Sequence, residues 1–404
     1  MRIAMISEHA SPLAALGGVD AGGQNSHVAE LAAALGGHGH EVRVYTRRDS
    51  PDLPETVPMG DRVEVVHVPA GPAEALPKDE LLPFMSAFAE WMAADWQGGW
   101  QPDVAHAHFW MSGLATVTAA RAFDVPVVQT YHALGSVKRR HQGTADTSPP
   151  HRIAYERELG RSVDRVIVQC EDERGELLRL GVPRGRMALV PSGVNTERFR
   201  PDGPPAPREN GRARILTVAR LVERKGIEDI IRALPQVPGA DLVVAGGPPA
   251  AGLATDAYAA KLRRLASELQ ISDRVRLLGA VPAHEMPAWY RSSDVVAATP
   301  WYEPFGISPL EAMACGVPVV ATAVGGLTDT VVDGVTGDLV PPRDPRALSN
   351  ALRHLLGDDM RREAYGAAAV DRAAYAYAWP RIADRLAAVY ASVAGQTTTA
   401  AAVA

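Results

Sequence analysis

The run Glu303-Pro304-Phe305-Gly306-Ile307-Ser308-Pro309-Leu310-Glu311 holds two carboxylates separated by seven residues. The first lies on a loop and the second in the opening turn of a helix. A carboxylate so placed can accept two hydrogen bonds from a vicinal diol such as a ribose. The backbone N–H groups of Phe305 to Ser308 can hold a phosphate at the helix start. Capping explains Pro304 and Pro309 but not both glutamates. A second cluster, Arg220-Leu221-Val222-Glu223-Arg224-Lys225-Gly226, sets two cations, Arg220 and Lys225, five positions apart after an apolar run. A planar guanidinium and a compact ammonium can clamp a diphosphate; the plainer alternative is a solvated turn. A third, Gly17-Gly18-Val19-Asp20-Ala21-Gly22-Gly23-Gln24-Asn25, leads into a helix. Gly22 and Gly23 there can bring N–H groups to an anion, or supply positive φ to a flexible loop.

Such loops need a scaffold, and the chain alternates short apolar runs with amphipathic stretches. Strands are expected at 2–7, 41–46, 63–69, 104–108, 125–131 and 165–169, and again at 214–219, 241–245, 274–278, 295–298 and 317–321. Helices are expected at 24–35, 80–94, 113–122, 151–161 and 172–180, then at 227–234, 256–269, 282–291, 309–314 and 345–356. A Tyr/Ala/Trp-rich bend then precedes a last helix, 379–393. Residues 200–207 read RPDGPPAP and predict a linker. The fold class is α/β: two doubly wound parallel-sheet domains of Rossmann type, facing across a cleft. The expected organisation is an N-terminal domain over 1–200, a linker over 201–212 and a second domain over 213–378. A helix over 379–395 crosses back to the first domain, and the tail over 396–404 is frayed. Ligands of such sheets bind beyond the carboxyl ends of the strands.

Composition narrows the partners. The chain has 404 residues, is 47% hydrophobic and carries a net charge of −6, so no basic field argues for nucleic acid or an anionic membrane. Its two cysteines, Cys170 and Cys315, suit a reducing cytoplasm and form no zinc cluster or disulfide framework. No signal-like start or membrane span of about 18 apolar residues is expected. The dinucleotide fingerprint, P-loop, nucleophile elbow and H-E-x-x-H are missing. His106 and His108 alternate along a strand and so share a face. With no third ligand nearby in sequence, they read as strand-end histidines and not as a metal site. Trp91, Trp96 and Trp100 read as packing residues.

The Gly22-Gly23 loop, the Arg220/Lys225 pair and the E-x7-E run, in that order, resemble the retaining glycosyltransferases of family 4, which have the GT-B fold. The resemblance spans about Arg2 to Val393. It implies that Arg220 and Lys225 hold the donor diphosphate and that Glu311 holds the ribose. Glu303 and the backbone of Phe305, Gly306 and Ile307 take the donor sugar. Gly22 and Gly23 assist at the leaving phosphate without a metal ion, and no cofactor is implied. His132 matches a histidine beside the sugar and the reacting bond, and Asp20 orients the acceptor.

Matches at Ser11-Pro12-Leu13, Asp20–Gly23, His106–Gly113 and Val137-Lys138 resemble the branch that glycosylates an inositol phosphate. The Asp-x-Gly-Gly-Gln run is shared with sucrose-forming members. By that resemblance Asn25, Lys78 and Arg152 hold an acceptor phosphate, and Trp110 and Lys138 belong to the same pocket. Phe109 stands where that branch has tyrosine, and Ala133 where it has threonine. Two lost hydrogen-bond donors cost roughly 1.5–3 kcal/mol each at a desolvated phosphate, so another polyol, sugar or natural product is expected as acceptor. The run Lys138-Arg139-Arg140-His141 reads as a solvated face, with an anionic acceptor as the alternative. The expected donor is UDP-glucose or UDP-N-acetylglucosamine, used by a monomer or homodimer. A phosphorylase, an epimerase or a non-catalytic nucleotide-sugar-binding protein are the competing assignments.

Overall fold

A computed structural model describes residues 1–14, 22–208 and 211–401. Asp20 lies outside the described residues. The chain groups into two units, one of Met1–Gly193 with Trp379–Ala404 and one of Val194–Ala378.

Eight strands build the first sheet: β1 (Arg2–Ile6), β2 (Glu41–Arg47), β3 (Thr56–Gly60), β4 (Val63–Val68), β5 (Val104–His108), β6 (Val127–Thr130), β7 (Arg165–Val168) and β8 (Met187–Leu189). Their order is β3-β4-β2-β1-β5-β6-β7-β8, and only β3 runs antiparallel to its neighbour. The chain moves from β1 to β2 on one side and later to β5 on the other, so the switch point lies between β1 and β5, where ligands of open α/β sheets bind. Both faces are covered, which explains the unbroken apolar runs. Ile3 and Met5 pack on one side with Ile382, Leu386 and Tyr390 of the last helix. Ala4 and Ile6 face the other side with Phe88, Met92 and Trp96. Burying each large apolar side chain contributes roughly 1.5–3 kcal/mol. Trp96 and Trp100 are core residues, with Trp91 packed against them.

The second sheet holds β9 (Ala213–Val218), β10 (Ala240–Ala245), β11 (Val275–Gly279), β12 (Val295–Ala298), β13 (Val319–Thr322) and β14 (Gly337–Val340). The order is β11-β10-β9-β12-β13-β14 and every pairing is parallel. Its switch point falls between β9 and β12. Ile215, Leu242 and Val320 face one layer, and Leu216, Val243 and Val319 face the other.

Several elements differ from the expectation. The bend expected before the last helix is a 19-residue helix, Asp359–Tyr377. Its N-cap Asp358 accepts from Arg361 N–H. Its buried stripe is Tyr365, Gly366, Ala369, Ala373 and Tyr377, mostly too small to show as a hydrophobic period. Gly366 permits the close approach, since a Cβ there would lie 2.3 Å from the Gly316 carbonyl oxygen. The helix ends at Ala378, which is extended (φ −61°, ψ 133°). The last helix runs Trp379–Ala401, past the expected end at 395. The segment expected as a linker, 201–212, belongs to the second unit, where Ala206 N–H donates to Ala288 O (2.9 Å) and Arg208 Nε to Ser292 O (3.1 Å). Three strands were not anticipated. β3 carries Pro58, tolerated on an edge; β8 has three residues; β14 opens on Gly337. The helix Gly135–Gln142 was also not anticipated, and it buries only Gly135. No described helix is long and apolar enough to cross a membrane.

Candidate active site

In the second unit, the loops after β9 and β12 meet at the switch point. Gly226, at φ +66°, ends the turn Glu223–Lys225 and lies against the backbone of Thr299. Thr299 Oγ1 donates to Gly226 O (2.9 Å) and Trp301 N–H to Arg224 O (2.8 Å). These contacts bring Lys225 to Glu303: Nζ donates to Oε2 in a direct ion pair. Burial pushes the Lys225 ammonium below its usual range; Glu303 opposes this, while Arg224 and Arg220 add to it. For Glu303, burial alone would raise the carboxyl, but Lys225, Arg224 and Arg220 together outweigh it and hold it low. Three cations, Lys225, Arg224 and Arg220, thus act on one carboxylate.

Glu311 sits in the helix Ile307–Ala314, which starts from Gly306 at φ +95°. Tyr290 Oη donates to Glu311 Oε2 at 2.7 Å and orients the carboxylate. Burial, then the Glu311 charge, pushes the Tyr290 hydroxyl well above its usual range. The Phe305 side chain is buried in the core and packs edge-on to Tyr377, so only its backbone is available to a donor. Beneath this loop lie Gly325 and Gly326. Gly326 N–H donates to Glu303 O (3.0 Å), and a Cβ on Gly325 would lie 2.0 Å from that oxygen. Tyr290, Arg224 and this glycine pair were not anticipated. The pair alone carries a sequence signal, a Gly-Gly directly after a β run.

In the first unit, the expected acceptor residues are mostly bound to partners within the chain. Gly22 is extended (φ −173°) and needs no left-handed backbone. Its N–H donates to Asn25 Oδ1 (2.9 Å), while Asn25 Nδ2 donates to Ser11 O (2.9 Å). Gly23 opens the helix Gly23–Gly37, and Lys78 opens a short turn, Lys78–Glu80. Arg152 is buried. Its Nε donates to Glu156 Oε1 (2.7 Å) and its Nη2 to Ala133 O (2.6 Å), and its guanidinium lies over the Phe109 ring. Glu156 also accepts Gly135 N–H on both oxygens, at 3.0 and 2.9 Å. It thus occupies the N-terminus of the helix Gly135–Gln142, the place a phosphate would take. Lys138 Nζ lies 3.1 Å from Asp146 Oδ1 and 3.6 Å from Asp79 Oδ2. Arg140 makes a two-pronged pair with Glu176. Two cations of the basic run, Lys138 and Arg140, are therefore matched by carboxylates. Trp110 is fully buried and stacks on Tyr155.

Two non-glycine residues at the strand ends have left-handed backbones: Phe109 after β5 (φ +82°, ψ 157°) and His132 after β6 (φ +60°). Each such residue costs roughly 1–3 kcal/mol. Gln129 Nε2 braces both ends, donating to Phe109 O (3.0 Å) and Thr130 O (2.9 Å).

His132 lies in a histidine cluster that sequence spacing did not reveal. His27 from the first helix joins His106, His108 and His132. His106 donates or accepts at Tyr390 Oη (2.6 Å) and Thr130 Oγ1 (2.8 Å). Burial lowers all four imidazoles, His27 and His106 to about 3 and His108 and His132 well below the usual value. His27, His108 and His132 offer nitrogens within 4.8 Å of one another, a looser set than the spacing of about 3.3 Å that tetrahedral zinc requires.

Glu173, buried behind Gln169, accepts Gln169 N–H at 2.7 Å. Burial pushes its carboxyl up to about 7 from 4.5. A raised native value means that stability is full below the unfolded value and falls as pH rises from 4.5 through about 7, by up to about 3 kcal/mol. Glu173→Gln should therefore raise Tm over wild type near about pH 8 and leave it unchanged near about pH 4.5. A thermal-shift series showing equal Tm values at both ends would count against this.

The second unit thus carries a cation cluster and a tethered carboxylate on the loops at the switch point of its parallel sheet. Residues 21–198 match the family described as Glycosyltransferase Family 4, and residues 202–372 match Glycosyl transferases group 1. The D-inositol 3-phosphate glycosyltransferase of Xylanimonas cellulosilytica is 37% identical over 409 residues, covering 96% of each chain. That of Frankia alni is 38% identical over 390 residues, covering 91% of this chain and 93% of the relative. Among solved structures, a sucrose-phosphate synthase from Thermosynechococcus elongatus superposes with a TM-score of 0.87 at 31% identity, covering 97% of this chain and 98% of that one. HepE of Anabaena, solved with UDP-glucose, shares the fold at a TM-score of 0.73 and 19% identity, covering 97% of this chain and all of its own. The chain belongs to glycosyltransferase family 4 and has the two-domain GT-B fold.

Proposed function

We propose that the protein transfers a hexose from UDP-glucose or UDP-N-acetylglucosamine to a hydroxyl of an uncharged polyol or sugar. The anomeric configuration is retained, and neither a metal ion nor a cofactor is needed. In the second unit, the diphosphate takes Lys225 from Glu303, and the released carboxylate meets the sugar hydroxyls. Arg220 and Lys225 carry the charge that develops on the leaving phosphate, while Glu311, held by Tyr290, binds the ribose. The acceptor attacks from the front face and its proton passes to the departing phosphate oxygen. The protein acts in the cytoplasm.

The observation that carries the acceptor assignment is the Arg152–Glu156–Gly135 arrangement. A buried carboxylate already neutralises the arginine and fills the helix N-terminus. An incoming phosphate would face that carboxylate without the hydroxyls of a tyrosine at 109 or a threonine at 133. The names of the relatives favour a second assignment, transfer to D-inositol 3-phosphate. Nucleotide release measured in EDTA decides between them. UDP-, GDP-, ADP- and dTDP-sugars are each combined with myo-inositol, fructose and D-inositol 3-phosphate. Release with UDP-sugars and an uncharged acceptor is expected. Transfer confined to D-inositol 3-phosphate would replace the acceptor assignment, and strict Mg²⁺ dependence would overturn the metal-free mechanism.

A further inference from the structure

We infer that His108 is a positioning residue that locks His132 as the Nδ1–H tautomer, so that the His132 ring is held in one orientation and one protonation state during the transfer reaction and does not act as a base.

One hydrogen bond of this cluster can run either way. His108 Nδ1 and His132 Nε2 lie 2.9 Å apart, and the two rings are nearly parallel. Both imidazoles are neutral, so each has one N–H and one lone pair. The other nitrogen of His108, Nε2, is buried with no hydrogen-bond partner. If His132 donated, His108 would carry its proton on that orphaned nitrogen. A buried N–H without an acceptor is the rarer and costlier state, whereas an under-used lone pair is tolerated more often. The proton therefore sits on His108 Nδ1 and is donated to His132 Nε2. His132 must then carry its own proton on Nδ1.

Gln169 also bonds the His132 side chain, and its amide nitrogen lies 3.4 Å from His27 Nδ1, which meets Ser192 Oγ (2.8 Å).

The lock also steadies strained backbone. His132 is the middle residue of a three-residue turn, with Ala133 N–H donating to Tyr131 O at 2.7 Å, and its φ is +60°. A side chain held by His108 at Nε2 and bonded by Gln169 keeps that turn in one conformation. His106 stacks behind His108 with centroids 4.1 Å apart and is tied to Tyr390. The C-terminal helix thereby backs the arrangement.

The test uses the full chain with ¹⁵N-labelled histidine. Long-range ¹H–¹⁵N correlations of wild type should show His132 protonated at Nδ1 and bare at Nε2. His108→Asn places an amide N–H near the former Nδ1 and should keep that pattern. His108→Leu should lose it and give a mixture. UDP release from UDP-glucose should fall at least about tenfold in His108→Leu, the equivalent of one hydrogen bond, chiefly in kcat, with rescue in His108→Asn. A proton on His132 Nε2 in wild type, or an unchanged pattern in His108→Leu, would overturn the inference. The activity arm rests on the glycosyl-transfer assignment of His132 and the spectroscopic arm does not. An inactive wild type with the expected tautomer would fault the donor assignment alone.

Discussion

Lys225→Ala lowers kcat/KM for the nucleotide-sugar donor at least about 100-fold, because a desolvated cation–anion contact is worth roughly 2–5 kcal/mol. The loss is larger in kcat than in KM, since the charge that Lys225 answers is greatest on the departing phosphate. The substitution also leaves Glu303 without its direct partner, so burial can lift its carboxyl toward the neutral form. Lys225→Arg does not restore activity, because a planar fork does not fit the site of a compact ammonium. Steady-state kinetics check this directly. A Lys225→Ala enzyme within about threefold of wild type would remove the clamp from the mechanism.

Gly226→Ala is the second large effect, and it works through backbone alone. A Cβ at this position would lie 1.9 Å from the Thr299 carbonyl oxygen, and φ of +66° adds about 1 kcal/mol of strain for alanine. The turn must swing away from the loop after β12, breaking the Thr299–Gly226 and Trp301–Arg224 hydrogen bonds and separating Lys225 from Glu303. Donor affinity should fall by at least about 100-fold, the equivalent of two or more hydrogen bonds and the displaced charge. Circular dichroism should show the helices and strands intact. Titration of UDP by calorimetry measures the loss. Binding as tight as wild type would mean that the two loops do not need each other.

The loop cluster of the second unit was largely legible in sequence. Arg220, Lys225, Glu303 and Glu311 sit on loops and a helix start that short, dense motifs announce, and the β-α alternation carried the sheets. Tyr290 was not legible, because nothing local marks a tyrosine as the partner of a glutamate 21 positions away. The side-chain pairing of the first unit was less legible for the same reason. Arg152 looked like a phosphate ligand, but its charge is answered by Glu156, and only the helix geometry shows that both reach Gly135. The histidine cluster draws on a helix and two strands, so His27, His108 and His132 share no spacing. The helix Asp359–Tyr377 escaped because its buried face is largely alanine and glycine, which leaves little hydrophobic contrast to detect.

The covering helix Trp379–Ala401 belongs to the first unit although the whole second unit precedes it in the chain. A growing polypeptide leaving the ribosome can finish the later-encoded lobe first, while the apolar cluster around Ile3 and Met5 in the earlier one waits for Ile382, Leu386 and Tyr390. Vectorial synthesis therefore leaves a sticky sheet face open until the final residues emerge. Chaperone dependence should concentrate there, and loss of the last helix should cost solubility before it costs any chemistry.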